Sequence, residues 1–323
     1  MSLIKSNRLL AAGAALLFSI GVVRAQTVKV DAAIGGYQKT SGVSGNVTSV
    51  GSDTMNNLMT LWAETFKGMY PNVRVQIEGK GSSTAPAALI AGTAQFGPMS
   101  RAMRATEVDQ FERKYGYKPT QIRTSYDALA VYVNKDNPIE KLSLAQVDAA
   151  FSKTRRRGGK NAATWGDLGL TGDWAGRPIS LYGRNSASGT YGFFKEHALG
   201  NGDYKDQVKE QPGSASVVQG VTEDRFGIGY SGIGYRTSGV KVVPLAETTA
   251  VSDGNYADVV AGKYPLNRFL FIYINRAPGK PLDPLVREFI KFVLSKEGQE
   301  VVVKDGYLPL SEQIAATELK KVQ

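Results

Sequence analysis

Cysteine is absent from this 323-residue chain, and histidine occurs once, at His197. Without cysteine there is no disulfide, no zinc–thiolate site and no thiol nucleophile, so the fold must be held by its core alone. With one histidine, and no His/Asp/Glu group at metal-ligand spacing, the sequence predicts neither a metal centre nor a cofactor. No G-x-S-x-G elbow occurs either. The only long apolar run, Leu9 to Val23, follows a basic segment with Lys5 and Arg8 and precedes Val23-Arg24-Ala25, a small-residue cleavage pattern. That is the layout of an export signal over residues 1–25 rather than of a membrane span. No cysteine follows it to carry a lipid, so a soluble periplasmic or secreted protein is expected.

Acidic residues are also in deficit, 29 against 39 Lys and Arg, for a formal charge of +10. Removing Lys5, Arg8 and Arg24 with the signal leaves +7, a field that draws anions. The one dense basic run, Lys153-Thr154-Arg155-Arg156-Arg157-Gly158-Gly159-Lys160, has no interleaved aromatics. It reads as a solvated loop or as a dock for an acidic partner, and not as a nucleic-acid surface.

What the chain does contain is a repeated junction. Gly51-Ser52-Asp53-Thr54-Met55 follows the strand-like Val47 to Val50 and precedes a helical run; Gly79-Lys80-Gly81-Ser82-Ser83-Thr84 lies between Val73 to Ile77 and Ala85 to Ile90. Arg184-Asn185-Ser186-Ala187-Ser188-Gly189-Thr190 opens an aromatic helix, Tyr191 to Glu196. Each junction offers glycine, hydroxyl and first-turn amides, the donors that hold an oxyanion, and Arg184 adds a two-pronged charged contact. Any one of them also reads as a plain N-cap. In an open α/β sheet, however, such turns share the carboxyl ends of the strands, so three can face one cavity.

Alternating strand and helix patterns predict an α/β fold of two lobes, each a mostly parallel sheet flanked by helices. Ala128 to Val133 and Phe269 to Asn275 are apolar enough to be buried on both faces and read as a two-stranded hinge. The expected division is a flexible Gly/Ser/Thr-rich leader over 26–46, lobe one over 47–133 and 268–323, and lobe two over 134–267. Gly227-Ile228-Gly229-Tyr230-Ser231-Gly232 satisfies a dinucleotide pattern without its strand–helix frame and reads as a cleft-lining strand or loop. His197 beside Phe193 and Phe194 reads as structural, and Glu223 with Asp224 as an exposed turn.

Val50-Gly51-Ser52-Asp53-Thr54, Gly79-x-Gly81-Ser82-Ser83, Phe96-Gly97-Pro98-Met99-Ser100-Arg101, Arg184-x-x-x-Ser188-Gly189-Thr190 and Gly227-Ile228-Gly229-Tyr230 resemble, in order and spacing, the periplasmic phosphate-binding proteins of ABC-type uptake systems, the PstS family. The resemblance spans roughly residues 47 to 310. It implies two hinged α/β lobes closing on one dehydrated phosphate, no catalysis, a monomer, and delivery to a membrane ABC permease. Carried over by position, it implies phosphate contacts from Thr54, the amide of Met55, Ser82, Arg184, Ser188, Gly189 and Thr190. Better-known members have an aspartate where this chain has Ser100, followed by Arg101. The acceptor for a protonated phosphate oxygen is therefore open: Asp53 or Asp127 supplies it, or Arg101 shifts preference toward the dianion or another oxyanion. Ser83 is a further candidate. The rival readings are a secreted phosphatase with Ser188 or Thr54 as nucleophile, and a surface or adhesion protein keeping the same fold.

Overall fold

A computed structural model describes residues 28–247 and 250–323; the expected export signal lies outside them. In chain order the first elements are β1 (Gly45–Val50), α1 (Asn56–Met69), β2 (Val73–Glu78), α2 (Thr84–Ala91), β3 (Gly97–Met99), α3 (Ala105–Tyr115) and β4 (Thr120–Asn134). They are followed by β5 (Leu142–Ser143), α4 (Leu144–Phe151), β6 (Ser180–Arg184), α5 (Gly189–His197), β7 (Lys209–Gln211), α6 (Ser214–Glu223) and β8 (Gly227–Gly232). The rest are β9 (Val240–Val242), β10 (Leu245–Ala246), β11 (Val251–Ser252), α7 (Tyr256–Val260), β12 (Asn267–Ile274), α8 (Pro284–Leu294), α9 (Lys296–Lys304) and α10 (Glu312–Leu319).

The longest strand organises both lobes. Over its N-terminal half β4 pairs antiparallel with β12, from Thr120↔Ile274 to Ala128↔Asn267. From Leu129 onward it pairs instead with β8 and β9. The change of partner at Ala128/Leu129 falls ahead of the limit at 133 expected from the break at Asn134. The return crossing lies just before β12, where the Leu129 amide donates to the Leu266 carbonyl at 3.0 Å. Parallel pairing is found at β1–β2, β6–β7, β6–β8, the short β5–β10 contact and a single bridge from Ser49 to Phe96. A crossing strand and the strand that returns beside it run antiparallel by construction, so each lobe is more mixed than the sequence pattern predicts.

Why these residues fold this way is visible in the burial. Ala128 to Val133 are all fully buried, as strands covered on both faces require. Helix α8 places Leu285, Phe289, Phe292 and Val293 on the core side at helical spacing, with Asp283 capping its first amides. Residues 28–44, expected to be a loose leader, pack on the first lobe. Ile34 and Val43 join its core, and the Tyr37 hydroxyl meets Tyr70 at 2.8 Å and Glu288 at 3.1 Å. Composition suggested a leader, but three well-spaced apolar or aromatic anchors fix the segment.

Candidate functional site

The three glycine-hydroxyl junctions follow the carboxyl ends of β1, β2 and β6 and meet between the lobes. Thr54 Oγ1 from the first lies 2.9 Å from Thr190 Oγ1 of the third. Ser82 Oγ from the second lies 3.2 Å from Ser100 Oγ, which is itself 3.5 Å from Thr190 Oγ1. The backbone joins too, the Ser83 amide donating to the Ala187 carbonyl at 3.1 Å. Thr54, Ser82, Ser100, Ser188 and Thr190 are all buried. Glycine is required at this meeting point: a Cβ on Gly189 would sit 2.3 Å from Ser82 Oγ, and one on Gly81 2.5 Å from the Ala187 carbonyl oxygen.

Three of the hydroxyls also accept N–H donors. Ser82 Oγ accepts the Ser100 amide at 3.0 Å, and Ser188 Oγ accepts the amides of Thr190 and Tyr191 at 3.1 and 3.4 Å. Thr190 Oγ1 accepts Arg268 Nη2 at 3.0 Å. A hydroxyl has one proton and two lone pairs, so an oxygen that accepts an N–H still has its proton for a neighbouring hydroxyl or for a ligand. Ser188 is thus an N-cap and a donor at once. The first-turn amides of Thr190 and Tyr191, expected to be free, are taken by that cap, and the Met55 amide donates to the Ser52 carbonyl at 3.3 Å.

Arg184, the last residue of β6, is 1 % exposed. Its Nη1 donates to Ser214 Oγ at 2.6 Å and its Nη2 to the Pro212 carbonyl at 3.2 Å. Its Nη2 also lies 3.1 Å from Asp53 Oδ2, a contact between lobes. The same Asp53 oxygen accepts the Ser214 amide at 2.8 Å, at the start of α6, where a helix N-terminus favours negative charge. Burial lowers the Arg184 pKa from its ordinary value, and the Asp53 charge opposes that shift. Among the described residues Arg184 Nε has no hydrogen-bond partner, a cost of about 1–3 kcal/mol for a buried donor that an anion would offset.

The remaining candidates are engaged elsewhere. Arg101 forms a bidentate pair with Glu107, at 2.7 and 2.6 Å, which holds the start of α3; Ser83 Oγ touches that guanidinium at 3.4 Å. Asp127 Oδ2 accepts Arg268 Nε and Nη2 at 2.8 and 2.6 Å, and its Oδ1 accepts the Ile233 amide at 3.1 Å. Both Asp127 oxygens thus already accept protein donors, two on Oδ2 and one on Oδ1.

Arg268 is the residue that sequence reasoning missed. It is buried, pairs with Asp127, donates from Nη1 to the Ser100 carbonyl at 2.9 Å and holds Thr190. The available signal was a lone charge beside an apolar strand, with Asp127 on the other apolar strand; a buried charge needs such a partner. Tyr307 and Tyr235 were also missed: their hydroxyls donate to the Thr54 carbonyl at 2.8 and 3.3 Å. His197 is structural as expected, stacked on Phe193 at 3.9 Å with its Nδ1 donating to the Phe193 carbonyl. Among the described residues no group of three or more His, Cys, Asp or Glu is placed to hold a metal.

The comparisons with known proteins agree with this geometry. The model of the PBP superfamily domain matches residues 37–297. The phosphate-binding protein PstS of Pseudomonas aeruginosa is 57 % identical over 321 residues, covering 98 % of this chain and 99 % of that one. A possible phosphate-binding protein from Planctomyces limnophilus is 26 % identical, with a TM-score of 0.63 over 87 % of this chain and 98 % of the other. A putative phosphate ABC transporter substrate-binding protein from Clostridium perfringens, with bound phosphate, shares the fold at a TM-score of 0.70 over 83 % of this chain and 100 % of the other, at 24 % identity. On the match to the family model and the near-complete overlap with PstS, this chain belongs to the PBP superfamily and, within it, to the PstS family of phosphate-binding proteins.

Proposed function

We propose that this protein captures inorganic phosphate between its two lobes and hands it to a membrane ABC permease, acting outside the cytoplasm and without catalysis. The lobes are read as 45–128 with 267–323, and 129–266, following the partner change in β4. The observation that carries the reading is the buried hydroxyl cluster built by the three junctions: Ser82, Ser188 and Thr190 each accept an N–H, which leaves their hydroxyl protons for one another or for an anion. Thr54 and Ser100 complete the array, and Arg184 brings a buried guanidinium with an unpartnered Nε.

Capture by such an array replaces water around the anion with fixed donors. Hydrogen bonds to a charged group are worth about 1.5–3 kcal/mol each, so four or five of them offset desolvation and leave micromolar or tighter binding. The arrangement is rich in donors, and Asp127, the buried carboxylate linked to Thr190 through Arg268, is largely occupied by Arg268 and the Ile233 amide. Asp53, which uses Oδ2 for Arg184 and for the Ser214 amide, stays beside the hydroxyl oxygens as an acceptor for a protonated phosphate oxygen. Because Thr54 and Ser82 come from one lobe and Arg184, Ser188 and Thr190 from the other, binding and closure are one event.

Equilibrium dialysis of anion-stripped protein against labelled phosphate tests the reading. One phosphate retained per chain is expected, and no retention at tens of micromolar would refute it. Delivery is tested by phosphate uptake in cells deprived of their own receptor: this chain should restore it, and its Arg184→Ala variant should not.

A further inference from the structure

A second feature lies outside the hydroxyl cluster. A cavity of about 600 Å3 opens between the start of α3 and the exposed side of α5, lined by Arg101, Arg104, Lys195 and Arg268 against one lining carboxylate, Glu196. Lys195 is occupied by Asp203 at 2.8 Å. Among the described residues the Arg104 guanidinium has no ion-pair partner. Arg101 turns both Nη groups to Glu107, and its Nε, buried, has no hydrogen-bond partner among those residues.

These groups converge on one point. A Cβ built on Gly192 would lie 3.7 Å from Arg104 Nη2, 3.7 Å from Arg101 Cδ and 4.0 Å from Arg101 Nε. Gly192 sits inside α5, where alanine would be the better helix former by roughly 1 kcal/mol. The missing side chain leaves a cradle with a free guanidinium on one side and an orphaned donor on the other. Two such donors match an oxyanion, since charge-assisted N–H contacts are the strong ones and an unmet buried donor is costly.

We propose that this cradle is an outer oxyanion subsite that takes a second inorganic phosphate at the rim of the cleft. Arg268 lines the cavity and also holds Thr190, so the subsite adjoins the inner cluster. An anion held there is concentrated next to the place it will enter, at an affinity far below the inner one because the rim is solvated. The identity of the anion rests on the proposed function; the existence of the subsite does not.

The test begins with full-length protein carrying one equivalent of phosphate, titrated further with phosphate at constant ionic strength while the Gly192 amide and the Arg104 Nε–H are followed by 1H–15N NMR. Both signals should move together and saturate in the millimolar range. Arg104→Ala should weaken that second phase by about fivefold or more, the scale of one lost solvated charge contact. Gly192→Ala, whose methyl group fills the cradle at ordinary contact distance, should abolish it. Neither variant should change the first, tight event by more than about twofold. A linear, unsaturable drift, or a second phase that survives both substitutions, overturns the subsite. Loss of the tight event from the unsubstituted protein would count instead against the proposed function.

Discussion

Arg268 and Asp127 face each other across the pairing of β12 with β4, at matched register, with Nη2 2.6 Å from Oδ2 and both side chains buried. The pair does more than neutralise itself, because the same guanidinium reaches Thr190 Oγ1 and the Ser100 carbonyl. Breaking a buried pair from one side leaves an uncompensated charge and costs about 3–5 kcal/mol. Asp127→Asn or Arg268→Gln alone should therefore destabilise the protein strongly in urea denaturation. The double variant should lose clearly less than the sum of the two. Additive losses would mean that the two residues act independently.

That pairing also marks the boundary of what the sequence made legible. The junctions at Thr54, Ser82 and Ser188 were readable because glycine and hydroxyl between a strand and a helix is local chemistry, expressed within a few residues. That Arg184 closes the strand ahead of the third junction was readable for the same reason. Arg268 was not, since its role depends on strand register with Asp127 and on Thr190, far away in the chain. The N-cap at Ser188 consumes amides that the sequence left free, a choice set by side-chain geometry and not by residue type. The segment before Gly45 was misjudged because average composition hid Ile34, Tyr37 and Val43, whose contacts are on α1, α8 and their neighbours.

Gly189→Ala isolates closure from folding. Alanine is the better helix residue at this first position of α5, but its methyl carbon would fall 2.3 Å from Ser82 Oγ and 2.7 Å from Ser100 Oγ, both on the opposite lobe. The variant should fold normally yet close incompletely, with phosphate affinity falling about tenfold or more, the loss of one or two charge-assisted hydrogen bonds. Small-angle scattering with saturating phosphate should show a larger radius than for the unsubstituted protein. An unchanged affinity would show that the lobes need not approach this closely.

Asp305 ends α9 and accepts from the Asn57 side-chain amide, and burial pushes its carboxyl up to about 6. A folded pKa above the unfolded value of about 3.9 favours the protonated form in the native state. Its contribution to stability is therefore complete below about pH 4 and is lost as pH rises through about 6. Asp305→Asn should match the unsubstituted protein near pH 4 and exceed it in Tm at pH 7 and above. A gap that stays constant from pH 4 to 8 would mean that the carboxyl titrates normally.

Asp53 clasps the lobes by accepting from Arg184 and from the Ser214 amide. Asp53→Asn keeps an acceptor for Ser214 but removes the charge. Phosphate dissociation should accelerate by roughly tenfold, in line with a lost partly buried ion pair of about 1–2 kcal/mol. Stopped-flow release into a phosphate trap reads that rate; an unchanged rate would show that the Asp53 charge does not hold the lobes together.

The most direct test of the interlobe oxyanion site is calorimetric titration of anion-stripped protein with phosphate, run beside Arg184→Ala. The unsubstituted protein should bind one phosphate at micromolar or tighter Kd, and the variant should lose about a hundredfold or more, the worth of one buried charge-assisted contact. Equal isotherms for the two proteins would contradict the assignment of Arg184, and with it the account of how the two lobes grip the anion.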